Sequence, residues 1–387
     1  MTKEPMPMID LSSGAAPPGA TLVTERQPGA AVANPLPASL MKVIEIIPED
    51  CYERPVARGL WLAARDLIFY GIAVAGLIAF NSWWAVIGFW ALAAMAVSGM
   101  FVVGHDAAHE ALFDSKRLNS WVAHVMFLPS LHIVAAWKLG HNHIHHRHTA
   151  RQNMDFVWHP VTVEEYQAMG RFARLRHRLE WSAAGAGVYY GHRIWWAKMI
   201  RLTPPDRLAG EIKRDKRFLY ACAFVMLALA AIAGGALQGN VDGAIWMMIK
   251  VVVVPFMLFG WIIGWTVYVH HINENMPWTR RKEWTKVEAQ LTKTSVLRAP
   301  RGFDLFFHHI FVHVPHHVDP RIPCHKLEKA TNAIEAAFPH LVHDEKLRFR
   351  SYVKTTLRCK LFDFDNGVWL TYKTARQGSQ PAQTASV

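Results

Sequence analysis

Two long apolar stretches dominate the chain. The first runs from Leu67 to Val103 and breaks at Asn81-Ser82; the second runs from Phe218 to Val269 and breaks at Gln238-Gly-Asn-Val-Asp-Gly243. Each holds two segments of roughly 20 residues, the length a helix needs to cross a bilayer. Residues 83–103 carry no charge in 21 positions, and residues 218–237 carry none in 20. A soluble helical core would not keep such runs free of charge. The pattern predicts an all-α integral membrane protein with four transmembrane helices at about 62–80, 83–103, 218–237 and 244–268, paired as two hairpins.

The polar positions orient this scheme. Neither hairpin turn contains Lys or Arg; nearly all of these residues precede Leu67, fall in 116–217, or follow residue 279. The positive-inside rule then places both termini and the 104–217 segment in the cytoplasm. Lys250 breaks the pattern inside the fourth helix, and a position near the outer end lets it snorkel outward. A third apolar stretch, Trp121 to Trp137, is interrupted by His124, Pro129 and His132. It reads as an interfacial or half-buried segment, because a crossing there would export the charged residues that follow. Residues 1–37, rich in Pro, Ala, Gly and Ser, and residues 374–387 read as disordered tails around a domain spanning 38–373. The first tail has no apolar core of the kind a secretory signal needs.

Composition adds two facts. The net charge of +12 admits nucleic acid, a membrane surface or an acidic partner; with four spans, positive-inside bias and anionic lipid take up part of it, and no nucleic acid is expected. Cys51, Cys222, Cys324 and Cys359 show no metal or disulfide spacing, so they are expected to be reduced and packed. The unusual number is 22 His, of which fourteen fall into clusters at 105–109, 141–148, 270–271 and 308–317.

These clusters have ligand spacing. His105 and His109 are four apart, so on a helix both imidazoles can meet one ion. His141, His143, His145, His146 and His148 crowd eight residues; His145 and His146 point about 100° apart on an α-helix and can serve different ions, with His141 on the face of His145. His143 and His148 suit that face less well. His270 and His271 read on their own as a polar helix end. His313, His316 and His317 repeat the adjacent-pair pattern, and His308 and His309 have no assigned role. A closed zinc site uses four ligands, so these groups suffice for two ions. Imidazole suits Zn, Cu, Fe and Ni, and a His-rich open site beside lipid suits iron and O₂. Asp106, Asp155, Asp304 and Asp319 are candidates to orient the ligand rings.

The pattern His105-xxx-His109, His141-xxx-His145-His146 and His313-xx-His316-His317, separated by the apolar pairs, resembles the membrane fatty acid desaturases. It is most similar to the delta-12 acyl-lipid group. Val102-Val-Gly-His-Asp-Ala-Ala-His109, Val269-His-His271, Val287-Glu-Ala-Gln-Leu291 and Arg321-Ile-Pro-Cys324 carry further likeness, which covers roughly residues 40–373. The first box departs from the family in having Ala107 and Ala108 where Cys and Gly are common. The second has three spacers, and His143 and His148 offer other registers.

The resemblance implies a cytoplasmic helical cap with a His-rich dimetal site. Two iron ions would be held by His105, His109, His141, His145, His146, His271, His313, His316 and His317. His271 enters through its place three residues after Tyr268. It implies O₂ as co-substrate, an acyl lipid as substrate, and conversion of oleoyl to linoleoyl groups. No His-Pro-Gly-Gly haem segment occurs, since Val161 follows His159-Pro160. Electrons are therefore expected from a separate, small acidic donor of ferredoxin or cytochrome b5 type. The implied location is a bacterial inner membrane. Trp121, Phe127, Trp137 and Trp265 are candidates to line an acyl tunnel. Two alternatives stay open: a related diiron fatty acid hydroxylase or carotenoid ketolase or hydroxylase, and a His-rich membrane metal-binding or transport protein.

Overall fold

The computed structural model describes residues 36–376. Apart from their inner ends, the tails expected at 1–37 and 374–387 lie outside the described residues. The rest is mostly helical. Four helices are long and apolar enough to cross a membrane: α1 (Val56–Ala79), α2 (Trp83–Ala108), α5 (Asp206–Gln238) and α6 (Val241–His271). Between them lie α3 (Lys116–Phe127) and α4 (Val134–Gly140); after them come α7 (Lys286–Thr292) and α8 (Val314–Val318). α2 continues past the expected end at Val103 to Ala108, with His105 on its last turn and His109 as the capping residue just after it. α5 begins twelve residues before the apolar run at Phe218, as a charged extension.

Small residues and caps make the turns. The ring of Phe89 on α2 occupies the space where a Cβ on Gly76 would sit, so α1 and α2 pack closely. At the second turn, Gly239 takes a left-handed conformation (φ 69°), and the Asn240 side chain accepts a hydrogen bond from the Gly243 N–H at 2.8 Å. Lys250 is completely buried rather than snorkelling. Its ammonium donates to Asn81 Oδ1 (2.8 Å) and the Phe80 carbonyl (3.3 Å), in the turn between α1 and α2. Free carbonyls at a helix C-terminus supply the acceptors that a buried cation needs.

The 121–137 stretch packs one side into the fold, with Met126, Phe127 and residues 132–137 buried and Trp121 and Val125 exposed. Two small sheets complete the chain. β1 (Ser295–Arg298) pairs in parallel with β2 (His343–Lys346), and β3 (Leu361–Asp363) pairs antiparallel with β4 (Val368–Leu370). β1 is the element that positions the site. Its Leu297 N–H donates to the Phe311 carbonyl (2.9 Å), and its Ser295 carbonyl accepts from the His313 N–H (3.0 Å). The Ser295 hydroxyl reaches the Val269 and His270 carbonyls at 3.2 and 3.3 Å. The end of α6 is thereby tied to the loop before α8. All four cysteines are free.

Candidate metal centre

The four histidine clusters converge on one place. His105 and His109 come from the end of α2, His270 and His271 from the last turn of α6, and His313, His316 and His317 from α8 and the residue before it. α4 runs directly into a π-helical turn, His141–His145, in which the His146 N–H bonds back to the His141 carbonyl. That turn corrects the α-helical expectation. With five-residue bonding, the residue one turn on from His141 is His146, not His145. The His141 ring centroid lies 4.6 Å from that of His146 and 5.3 Å from that of His145, and the Nε2 atoms of His141 and His146 are 3.0 Å apart.

Two groups result. The ring nitrogens of His105, His109, His141 and His316 lie within 4.8 Å of one another, as do those of His145, His271 and His317. His146 adjoins both: its Nε2 is 3.1 Å from His316 Nε2, and its ring stacks on His317 at 4.3 Å. His313 joins the second group through Nε2, 3.2 Å from His317 Nε2. All nine sequence-proposed residues are therefore brought together. A tenth, His270, stacks on His313 at 3.9 Å and forms a further group with His271 and His313.

This geometry fits bound metal better than a hydrogen-bonded cluster. An imidazole nitrogen carries either one proton or one in-plane lone pair. His146 Nε2 faces two other Nε2 atoms at 3.0 and 3.1 Å, and one nitrogen cannot hydrogen-bond well to both. Metal–imidazole bonds of about 2.0–2.1 Å place neighbouring ligand nitrogens roughly 3 Å apart. The outer nitrogens are also fixed. Nδ1 of His105 meets Asp106 Oδ1 at 3.1 Å, and Nδ1 of His145 meets both Asp155 oxygens at 3.1 Å. Nδ1 of His271 donates to the Lys293 carbonyl at 3.2 Å, and Nδ1 of His317 donates to Gln290 Oε1 at 2.8 Å. Each contact holds the proton on Nδ1 and leaves the Nε2 lone pair for a metal. Burial, then the proximity of other imidazoles, pushes His109, His141, His146, His313, His316 and His317 well below the ordinary histidine range. They are neutral at pH 7, the form that coordinates.

The orienting groups divide. Asp106 also accepts from the Cys324 N–H (2.6 Å), and Asp155 from the Ala150 and Val157 N–H groups (2.9 and 3.0 Å). Asp319 instead takes Tyr52 and Arg321, and Asp304 takes the His309 N–H; neither reaches a clustered ring of the centre. Sequence reasoning missed Gln290 and the Lys293 carbonyl, although Gln290 stands within Val287–Leu291. Gln290 also donates to the His146 carbonyl at 2.7 Å, so one side chain braces both groups. His143 and His148 point elsewhere: His143 is exposed, and His148 meets Arg151 at 3.1 Å. His308 bonds the buried Asp66 at 2.6 Å.

An apolar cavity adjoins the imidazoles. His105, His141, His145, His270, His271 and His313 form one wall, and Phe101, Phe156, Trp158, Ile194, Met199 and Ile263 are among the rest. Of the aromatics proposed from sequence, only Trp137 lines it. Trp121 is 65% exposed, Phe127 packs behind Phe101 at 5.1 Å, and Trp265 packs on Phe311 at 5.5 Å. Trp137 stacks on His141 at 4.3 Å and touches His105 and His109. His132, pushed down to about 3 by burial, binds the hydroxyl of the cavity residue Tyr190 at 2.8 Å.

Comparison with known proteins adds an independent line. The profile of the family described as "Fatty acid desaturase" matches residues 53–346. The "sn-1 oleoyl-lipid 12-desaturase" of Synechocystis sp. is 27% identical over 353 residues, covering 91% of this chain and 96% of that protein. The "sn-1 acyl-lipid omega-3 desaturase (ferredoxin)" of the same organism is 27% identical over 308 residues, covering 78% and 81%. The chloroplastic "Omega-6 fatty acid desaturase" of Spinacia oleracea is 25% identical over 368 residues, covering 90% and 76%.

Proposed function

The chain belongs to the fatty acid desaturase family, and from that premise we propose that it inserts the delta-12 cis double bond into oleoyl chains of membrane lipids. As a member it is a membrane oxidoreductase that desaturates acyl chains. The delta-12 outcome draws support from relatives named as oleoyl-lipid 12-desaturases. The observation that carries the mechanism is the convergence of three His boxes at one wall of an apolar cavity.

In this reading His105, His109, His141, His145, His146, His271, His313, His316 and His317 hold two iron ions. Bound iron supplies the O₂-derived oxidising power that no side chain here possesses. The protein does the rest. Asp106, Asp155, Gln290 and the Lys293 carbonyl lock four rings with Nε2 inward. The cavity gives a mid-chain methylene pair no polar handle, so its wall shape must set which carbons lie beside the imidazoles. Phe101, Trp137 and Ile263 exclude water from that contact.

The same reading pairs the spans as two hairpins, with both termini and a helical cap bearing the centre on the cytoplasmic side of a bacterial inner membrane. Residues 38–373 form the desaturase domain, flanked by the tails 1–37 and 374–387. Support comes from the Lys and Arg asymmetry around the apolar runs. A separate acidic electron donor fits the basic chain, and one relative's name includes ferredoxin.

The test is expression in a host that makes oleate but no polyunsaturated lipid, followed by gas chromatography and mass spectrometry of its fatty acids. A new diene with its second double bond at carbon 12 is expected. A diene unsaturated elsewhere removes the delta-12 assignment, and a hydroxylated product without diene removes desaturation.

A further inference from the structure

The helix Arg171–Glu180 turns its apolar stripe away from the fold. His177, Glu180 and the following Trp181 are buried. Phe172, Leu175 and Leu179, spaced to share one face, are 73%, 66% and 46% exposed. At about 100° per residue, that stripe lies roughly opposite the buried side. Arginines border it, with Arg171, Arg174 and Arg178 on one flank and Arg176 on the other, all four exposed. A contiguous exposed apolar stripe with a charged rim marks a contact surface.

The charge of this region selects the occupant. Residues 171–201 hold seven Lys and Arg against one acid, Glu180, which is buried beneath Arg193 at 3.1 Å and His192 at 2.9 Å. Two acids, Glu164 and Glu165, precede the helix, and Glu165 is engaged by the Thr162 N–H at 2.8 Å. The chain that follows ties the helix to a span. A Cβ on Gly187 would lie 3.0 Å from the Trp261 Cα, and one on Gly264 would run into the Ala186 carbonyl, so residues 186–187 press on α6. Trp261 stands ten residues before the end of α6 at His271, about 15 Å along the axis, within a helix apolar enough to cross a membrane. Only residues 181–185 separate that contact from the arginine-rich helix, which is thereby held at the edge of the apolar zone.

We propose that the helix Arg171–Glu180 lies in the headgroup layer of the leaflet where α6 ends, with Phe172, Leu175 and Leu179 among the acyl chains and its arginines on the phosphates of anionic phospholipid. An amphipathic helix with a basic polar face binds a bilayer surface through buried apolar area and attraction to anionic lipid together. The guanidinium fork suits phosphate oxygens. Arg171 already stacks over the Phe172 ring at 4.7 Å, so its charge stays beside the stripe. The consequence reaches the acyl site, because the chain runs on through residues 186–189 into Tyr190, Ile194 and Met199, which line the cavity. The proposal rests on α6 being a membrane span and is independent of the chemistry at the metal centre.

The experiment uses the full chain in lipid nanodiscs doped with a phosphatidylcholine that carries a diazirine at the upper end of one acyl chain. The unaltered protein is photolabelled in discs of phosphatidylcholine alone and of phosphatidylcholine mixed with phosphatidylglycerol, and adducts are mapped by mass spectrometry. In the mixed discs, adducts are expected on Phe172, Leu175 and Leu179. Adducts on α6 with none on this helix overturn the proposal, because the stripe then meets water or is covered by protein, whether a second copy or another part of this chain. In phosphatidylcholine alone, the yield on the three residues relative to α6 should fall by about threefold or more, as loss of the anionic attraction requires; an equal relative yield overturns the proposal. The double variant Arg171→Gln, Arg174→Gln should show the lower yield even in mixed discs, and an undiminished yield overturns it. If that variant misfolds, the two samples of unaltered protein decide alone. Absence of adducts on α6 as well removes the membrane-spanning reading, and the proposal falls with it.

Discussion

Asp155→Asn probes how the protein holds its proposed ligands. The carboxylate is buried, with 3% of its surface exposed, and accepts three N–H groups: Ala150 and Val157 from the backbone, and His145 Nδ1. An asparagine keeps the shape but presents one oxygen and one NH₂. At least one N–H then faces another N–H, a buried mismatch costing about 1–3 kcal/mol of stability. The His145 ring also loses its anionic partner, which makes Nε2 less basic and frees the ring to turn. Loss of an outer partner of this kind typically costs about 10–100-fold in metal affinity or activity, or roughly 1.4–2.7 kcal/mol. Iron content by plasma mass spectrometry, turnover on labelled oleoyl lipid and a thermal melt would be measured on the same preparation. Asp319→Asn is the control, because Asp319 holds Tyr52 and Arg321 but no clustered imidazole. The reasoning fails if folded Asp155→Asn keeps full iron and turnover, or if Asp319→Asn loses iron equally.

Two further outcomes follow from other parts of the fold. His177 is buried against Trp181 and bonded to the Tyr372 hydroxyl at 2.8 Å, and burial lowers it to about 3. The unfolded imidazole binds a proton below about 6.5 while the folded one does not, so stability falls as pH drops from about 6.5 toward 3, by up to about 1.4 kcal/mol per pH unit. His177→Phe should flatten the fall in melting temperature between pH 7 and 5.5; an unchanged slope contradicts this. Ile263 lies two turns before His271 on α6, about 12 Å along the axis, and lines the cavity. Ile263→Trp should keep its iron but lose at least about tenfold in turnover of oleoyl lipid, with shorter chains less affected; equal turnover on all chains would show that acyl groups bind elsewhere.

The sequence exposed what is local. Long apolar runs marked the four long helices, and the spacings 105/109 and 313/316/317 marked candidate ligands because residues three or four apart on a helix share a face. The π turn at 141–145 was invisible, since nothing in His-Asn-His-Ile-His announces five-residue bonding, and it changed His141's partner from His145 to His146. Gln290 and the Lys293 carbonyl act on rings 27 and 22 residues away, which no spacing rule reaches. The cavity draws its wall from α2, α4, the 156–199 region, α6 and the 310–313 loop, so aromatic content alone picked one of its residues in four. Lys250 found a carbonyl and Asn81 across 169 residues, and a helical wheel sees only the helix it is drawn on.

The central claim is that nine imidazoles from three boxes and the end of α6 hold two irons for acyl desaturation. Its most direct test is metal analysis of purified enzyme that is turning over oleoyl lipid. The account predicts about two irons per chain, with iron and activity lost together in His316→Ala and in His145→Ala. Zinc at a single site, with turnover intact in either variant, would contradict it.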